Sequence, residues 1–102
     1  MAGSAAIGVD QSEEQVLLQF RAGSEVAFEA LFRRYQREVY GWIVRIVRDR
    51  GVAEDLTIET FFRIHCAHAR FEPARGFGPW AHRHARRIGL AACAPVRVQH
   101  AG

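Results

Sequence analysis

Residues 25–48, EVAFEALFRRYQREVYGWIVRIVR, are the segment that decides the fold of this chain. Large apolar side chains recur along it at spacings of three and four residues, the period of an α-helix with one buried face. Most of its arginines lie off that face. The sequence therefore predicts a long amphipathic helix with Ser24 as its N-terminal cap. The predicted buried stripe consists of Phe28, Leu31 with Phe32, Tyr35, Val39, Trp42 with Ile43, and Ile46.

Three shorter helices are predicted around this long one, and no segment alternates in the manner of a β-strand. Ser12 with Gln15 resembles a capping box at the start of the first helix, and Gly23 ends that helix. We expect an all-α fold: a compact bundle of three main helices plus a short N-terminal helix over residues 12–94, with a flexible N-terminus (1–11) and a C-terminal tail (95–102). The predicted helices cover Ser12–Arg21, Glu25–Arg48, Val52–Arg70 and Pro79–Cys93, joined by a turn at Asp49–Gly51 and a loop at Phe71–Gly78.

The composition is that of one soluble globular domain. Of the 102 residues, 49% are hydrophobic and 25% are charged, which argues against disorder. No apolar run approaches the roughly 20 residues that a membrane span needs, and Met1–Val9 lacks the basic start of a signal peptide. We therefore expect a cytoplasmic protein with no membrane partner. Cys66 and Cys93 do not form a spaced framework, so we expect idle thiols.

The charges are unevenly distributed along the chain. The formal net charge is +3, and every basic side chain other than histidine is an arginine. Residues 49–62 contain four acids and one arginine, whereas residues 72–102 contain five arginines and one acid. A chain with one acidic and one basic surface is expected to have two different partners, one of them anionic.

The outer face of the third predicted helix is apolar where it should be polar. Asp55, Ile58, Glu59 and Phe62 fall on one side of the helix, away from its inner stripe. An apolar centre with a charged rim is typical of a protein-binding patch. The alternative is that Phe62 packs under another helix of the bundle.

The fourth predicted helix and the loop before it present a basic face. Arginines neutralise phosphates, and exposed aromatic rings stack on unpaired bases, so this face is a candidate nucleic-acid site. The alternative is a solvated arginine face, with Trp80 as a core anchor. The candidate DNA-binding residues are Arg75, Phe77, Trp80, Arg83, Arg86 and Arg87.

Two histidine-containing segments, 65–68 and 82–84, carry side chains of the metal-ligand type. Neither matches a known zinc spacing, so we expect no metal site and no cofactor. His68 and His84 are instead expected to be partly buried and to make local hydrogen bonds. The sequence has no phosphate-binding loop and no nucleophile elbow, so we do not expect an enzyme.

Taken together, these segments resemble region two of bacterial RNA polymerase sigma factors, in particular the extracytoplasmic-function (ECF) type. The resemblance covers about Arg21 to Ala92, and its specificity lies in the combined order and spacing. The matching segments are Glu25–Tyr35 with Val39-Tyr40, Ala53–Arg63, Phe71–Gly76, Phe77–Trp80, and Arg83 with Ala85-Arg86.

The resemblance implies an all-helical domain that directs transcription initiation and catalyses nothing itself. The surface of Asp55, Ile58, Glu59 and Phe62 would bind the clamp helices of the largest subunit of core RNA polymerase. The loop Glu72–Gly78 and the helix from Trp80 onward would hold the minus-ten element of promoter DNA and trap a base flipped from its non-template strand. An anti-sigma factor is a further expected partner.

This chain departs from the family pattern at several positions. Glutamine is usual where Ile58 stands, so the patch loses a hydrogen-bonding group, and asparagine is common where Arg87 stands. The helix-turn-helix domain that usually follows is not present in this sequence. Two alternatives stay open: a truncated interaction protein that competes for polymerase or an anti-sigma factor without binding DNA, and a small metal-binding helical domain.

Overall fold

The computed structural model describes residues 12–94, in which the chain forms four α-helices and two single-turn 3₁₀ helices. No strand occurs in this range, so the predicted all-α fold is confirmed. The predicted flexible N-terminus (1–11) and C-terminal tail (95–102) lie outside the described residues. The elements are α1 (Glu13–Arg21), α2 (Glu25–Val47), α3 (Arg50–Cys66), the 3₁₀ helices His68–Arg70 and Pro73–Arg75, and α4 (Phe77–Ala92).

Serine side chains cap the N-termini of the first two helices, as predicted. The Oγ of Ser12 accepts a hydrogen bond from the N–H of Gln15, and the Oγ of Ser24 accepts one from the N–H of Ala27, each at 3.1 Å. A cap of this kind contributes about 1 kcal/mol. Gly23 has a φ of +100°, which reverses the chain between α1 and α2 within three residues.

The predicted turn at Asp49–Gly51 is wrong in its extent. Arg48 adopts the left-handed conformation and ends α2, and α3 begins two residues later. The Oδ1 of Asp49 accepts a hydrogen bond from the N–H of Val52 at 2.9 Å. Asp49 is therefore an N-terminal cap, and Gly51 lies in the first turn of a helix rather than in a loop.

The predicted bounds of the last two helices also shift. α3 ends at Cys66, and His68–Arg70 continues only as a 3₁₀ turn. α4 begins at Phe77, so Pro79 is its third residue and not its first. The first N–H groups of a helix have no intrahelical partner, so a proline costs little there.

The core lies where α3 and α4 pack on the length of α2. Thr57 and Thr60 face this core, and their hydroxyls donate to the carbonyls of Ala53 and Leu56 at 2.7 Å. The buried hydrophobic residues along these three helices are Ala27, Leu31, Val39, Ile43, Ala53, Phe61, Ile64, Phe77, Ala81, Ala85 and Ile88.

An aromatic cluster closes one end of the bundle. Phe20 of α1 is 1% exposed, and its ring lies 5.5 Å from that of Phe71 and 5.7 Å from that of Phe77, centroid to centroid. These contacts join α1, the loop after α3 and the start of α4. Within residues 12–94, no helix is both long and apolar enough to span a membrane.

Candidate functional site

The outer face of α3 carries an exposed apolar strip. Ile58 is 66% exposed and Phe62 is 63% exposed, one helical turn apart. The alternative in which Phe62 packs under another helix is therefore wrong. Two large apolar side chains next to carboxylates are available to a partner, which is the surface that the sequence predicted.

The two carboxylates beside this strip differ in their local charge balance. Glu59 accepts a hydrogen bond from the Nε of Arg63 at 2.7 Å, which offsets part of its charge. Asp55 is exposed, and within the described residues no cationic side chain lies within 4 Å of it. Asp55 is therefore expected to attract a cationic group of a partner more strongly than Glu59 does.

An open groove of about 800 Å³ runs beside the strip, between α2 and α3. Ile58 lies on its rim and therefore belongs both to the strip and to the groove. The sequence analysis missed the groove because Phe32 belongs to the predicted apolar stripe of α2 and was assigned to the core. The groove is lined by Phe32, Gln36, Arg37, Tyr40, Glu54, Thr57 and Ile58.

Two adjoining hollows lie on the basic side of the molecule, at the start of α4. The first has a volume of about 180 Å³ and the second of about 240 Å³, and both are bordered by Arg70, Trp80 and Arg83. The first is completed by Glu72, Arg75, Gly76 and Pro79, and the second by Ala67, His84 and Arg87.

Trp80 is a wall of both hollows and also a core contact. Its ring lies 4.9 Å from that of Phe71 on the core side and 4.6 Å from that of His84 on the outer side. It is half-buried, so the core fixes its orientation while part of the indole stays accessible. The two readings of Trp80, core anchor and base platform, are compatible.

Phe77 was expected to bind DNA, and this prediction is wrong. The side chain is 1% exposed, and its ring packs 4.9 Å from that of Tyr35. The helix begins at Phe77 itself, so Phe77 lies on the same inner face as Ala81, one turn later. A buried ring cannot stack on a base.

Arg86 is exposed but lines neither hollow. It lies about 100° around α4 from Arg87 and on the side of His82. The ring of His82 lies 4.7 Å from that of Trp42. The structure therefore brings Arg75, Arg83 and Arg87 together around Trp80 and leaves Arg86 apart.

Two charged residues of the hollows were not among the candidate DNA-binding residues. Arg70 was expected at the end of a helix, and Glu72 was expected only as part of the loop Glu72–Gly78. The Oε1 of Glu72 accepts from the Nε of Arg75 at 2.9 Å. The sequence does show charges of alternating sign on both sides of Pro73, at Arg70, Glu72 and Arg75. This pattern indicates a charged loop, but it does not show that these side chains line a hollow.

His84 makes a local hydrogen bond as predicted, whereas the partner of His68 lies 47 residues away in the chain. The Nδ1 of His68 lies 2.8 Å from the carbonyl oxygen of Arg21, and the Nδ1 of His84 lies 3.0 Å from that of Trp80. Both side chains are partly buried. Among residues 12–94, no three His, Cys, Asp or Glu side chains lie close enough to hold a metal ion.

One phenol in the bundle has a perturbed acidity. Burial raises the pKa of Tyr35 above its usual value, and the carboxylate of Glu13 raises it further. The hydroxyl of Tyr35 donates to the Oε2 of Glu13 at 3.2 Å, a contact that holds α1 against α2.

Comparison with known proteins agrees with this arrangement of helices. The sequence profile of the sigma-70 region 2 family matches residues 31–91, which is more than half of the chain. The chain belongs to the sigma-70 region 2 family. The match extends over α3, the loop after it and α4, so it includes the apolar strip and both hollows.

Individual sigma factors are similar to part of this chain. RNA polymerase sigma factor CarQ of Myxococcus xanthus is 42% identical over 62 residues, 61% of this chain and 36% of CarQ. RNA polymerase sigma-H factor of Pseudomonas aeruginosa is 31% identical over 73 residues, 72% of this chain and 38% of that protein. ECF RNA polymerase sigma factor SigK of a Mycobacterium species is 34% identical over 62 residues, 60% of this chain and 32% of SigK.

This chain thus matches about a third of the length of each of these relatives. Among solved structures, an engineered region 2 of sigmaE in complex with GTAAAA superposes with a TM-score of 0.74 at 26% identity. The superposition covers 80% of this chain and 85% of that one. The bundle of this chain is therefore the region 2 fold.

Proposed function

We propose that this chain acts in transcription initiation as a sigma factor domain, binding core RNA polymerase with α3 and the minus-ten element of promoter DNA with the start of α4. In this proposal the chain catalyses no reaction, and polymerase carries out synthesis. The observation that carries the proposal is the pair of exposed apolar side chains Ile58 and Phe62 beside Asp55 and Glu59. Exposing these two side chains to water does not stabilise a monomer, whereas burying them in an interface with a partner is favourable.

The polymerase contact is proposed at the strip of α3, with the clamp helices of the largest subunit as the expected partner. Burial of Ile58 and Phe62 would supply the apolar part of the contact, and Asp55 with Glu59 would select a basic partner surface. Because Arg63 already offsets the charge of Glu59, Asp55 is expected to contribute more to specificity.

The DNA contact is proposed at the two hollows around Trp80. Arg70, Arg75, Arg83 and Arg87 would bind phosphates, and the accessible part of the indole would stack on an unpaired base. Support comes from the sigmaE region 2 structure, which is a complex with GTAAAA. An anti-sigma factor is a second proposed partner, because a competing protein would meet the same strip of α3.

The test is retention of purified core RNA polymerase on the immobilised chain. The Asp55→Ala/Glu59→Ala variant is expected to bind at least about fivefold more weakly. The control, Glu14→Ala/Glu38→Ala, removes two exposed carboxylates from α1 and α2 and should bind normally. Ile58→Ala removes apolar area from the strip and is expected to bind about tenfold more weakly.

Equal retention of the Asp55→Ala/Glu59→Ala variant and its control would contradict the proposed polymerase surface. If the chain binds polymerase normally but shows no salt-dependent binding to single-stranded DNA, the DNA-binding part of the proposal is wrong. The chain would then be an interaction protein that competes for polymerase or an anti-sigma factor.

A further inference from the structure

The second hollow at the start of α4, of about 240 Å³, has an imidazole in its wall. The ring of His84 is partly buried and lies 4.6 Å from the indole of Trp80, centroid to centroid. Within the described residues the lining contains no carboxylate, and its charged members are Arg70, Arg83 and Arg87. Histidine is the side chain that ordinarily gains or loses its charge between pH 5 and 8. The charge of this hollow therefore depends on His84.

The backbone fixes the role of one nitrogen of this ring. The Nδ1 of His84 lies 3.0 Å from the carbonyl oxygen of Trp80. A carbonyl oxygen only accepts hydrogen bonds, so Nδ1 must carry a hydrogen and donate it. In the neutral ring Nε2 is then a bare acceptor, and within residues 12–94 it has no hydrogen-bond partner. A proton taken up by this imidazole therefore goes to Nε2.

Protonation of His84 and binding of a phosphate to this hollow favour each other. Without a ligand, the three neighbouring guanidinium groups repel a positive imidazolium and disfavour it. A phosphate between the arginines offsets that repulsion. The neutral ring directs no hydrogen at Nε2 toward a phosphate oxygen, whereas the protonated ring donates a charge-assisted hydrogen bond there.

The other charged groups near this end of the bundle do not change this balance. Glu72 and Arg75 border only the adjoining hollow, and they pair with each other at 2.9 Å. Ala67, the residue that lines the hollow from the end of α3, carries no charge. The arginines and His84 are therefore the groups that decide the charge that a ligand meets.

We infer that the second hollow binds one phosphate group of a DNA strand together with one proton, and that the Nε2 of His84 carries this proton. DNA binding by this chain therefore strengthens as the pH falls through the range in which histidines titrate. This inference rests on the proposed function, because it treats the hollow as part of the DNA-binding surface.

The experiment measures binding of the full chain to a labelled thymine-only single strand between about pH 5.5 and 7.5. Phosphodiesters stay ionised and thymine does not titrate in this range, so a pH dependence comes from the protein. At constant salt we expect about three- to tenfold tighter binding at the lower pH. The slope of log K against log salt concentration should also be steeper there by about 0.7, because one more cation neutralises a phosphate.

Two variants test whether the proton is carried by His84. His84→Gln keeps a hydrogen-bonding side chain that cannot be protonated, so its affinity should be the same at both pH values. The matched control is His82→Gln, on the same helix. His82 is exposed, lines neither hollow and lies 4.7 Å from the ring of Trp42, so this variant should keep the pH dependence.

A second measurement needs no variant. Titration calorimetry of the wild type at about pH 6.5, in two buffers with different ionisation enthalpies, gives the number of protons taken up on binding. We expect between about half a proton and one proton per chain. No net uptake would overturn the inference even if His84→Gln failed to fold.

The outcomes distinguish this inference from the proposed function. Salt-dependent binding that is equally tight at both pH values, or a pH dependence that persists in His84→Gln, would overturn the inference and leave the proposed function standing. Absence of salt-dependent binding at every pH would overturn the inference and the DNA-binding part of the proposed function together.

Discussion

Replacing Arg83 with glutamine should change how strongly DNA binding depends on salt. Arg83 borders both hollows, which are lined by four arginines in total: Arg70, Arg75, Arg83 and Arg87. Each arginine that neutralises a phosphate of a single strand contributes about −0.7 to the slope of log K against log salt concentration. Four such contacts predict a slope of about −2.8, and the Arg83→Gln variant should show about −2.1.

The measurement is fluorescence anisotropy with a labelled single strand over a series of salt concentrations. Between about 50 and 200 mM salt, these slopes correspond to a loss of affinity of about 50-fold for the wild type and about 20-fold for the variant. The control is Arg33→Gln, which removes another exposed arginine, one that lies on α2 and contacts Glu29 at 3.0 Å. Parallel plots for wild type and Arg83→Gln, or the same reduction of slope in both variants, would refute the reasoning.

Two further predictions concern the stability of the bundle. Phe20→Ala should lower the free energy of unfolding by about 3–5 kcal/mol, because Phe20 is 1% exposed and joins α1 to the aromatic cluster. Urea unfolding followed by circular dichroism measures this loss. A loss below about 1 kcal/mol would contradict the role of the cluster. Burial, and then Glu13, raises the pKa of Tyr35, so its contribution to stability is full below the pKa of an unfolded tyrosine and is lost as pH rises through the folded-state pKa. Tyr35→Phe should therefore lose stability less steeply above about pH 10 than the wild type, in urea midpoints measured across that range. Identical alkaline profiles would contradict the Tyr35 assignment.

The helices could be read from the sequence because their signals are local. Ser12 and Ser24 cap helices through a bond to a residue three positions later, and the stripe of α2 is a periodicity within one segment. The exposure of Ile58 and Phe62 followed from the same logic, since they lie opposite the inner stripe of α3.

Helix boundaries were read less well. A proline at Pro79 and a charged Asp49 each fit either a helix start or a loop, and only the packing of the neighbouring turns selects one of the two. The family itself was recognisable from the order and spacing of motifs, which needs no tertiary information.

Which of the candidate residues belong to the basic site was decided by the tertiary structure. A sequence pattern tells which residues share a face of a helix, but not which face a distant segment will cover. Phe77 is buried because α1 and α2 bring Phe20 and Tyr35 against it, whereas Trp80, about one turn later, keeps an accessible edge. Glu72 lies in the hollow because the loop after α3 folds back beside α4, and Phe71 and Phe77 at the two ends of that loop both pack against Phe20 of α1, far earlier in the chain.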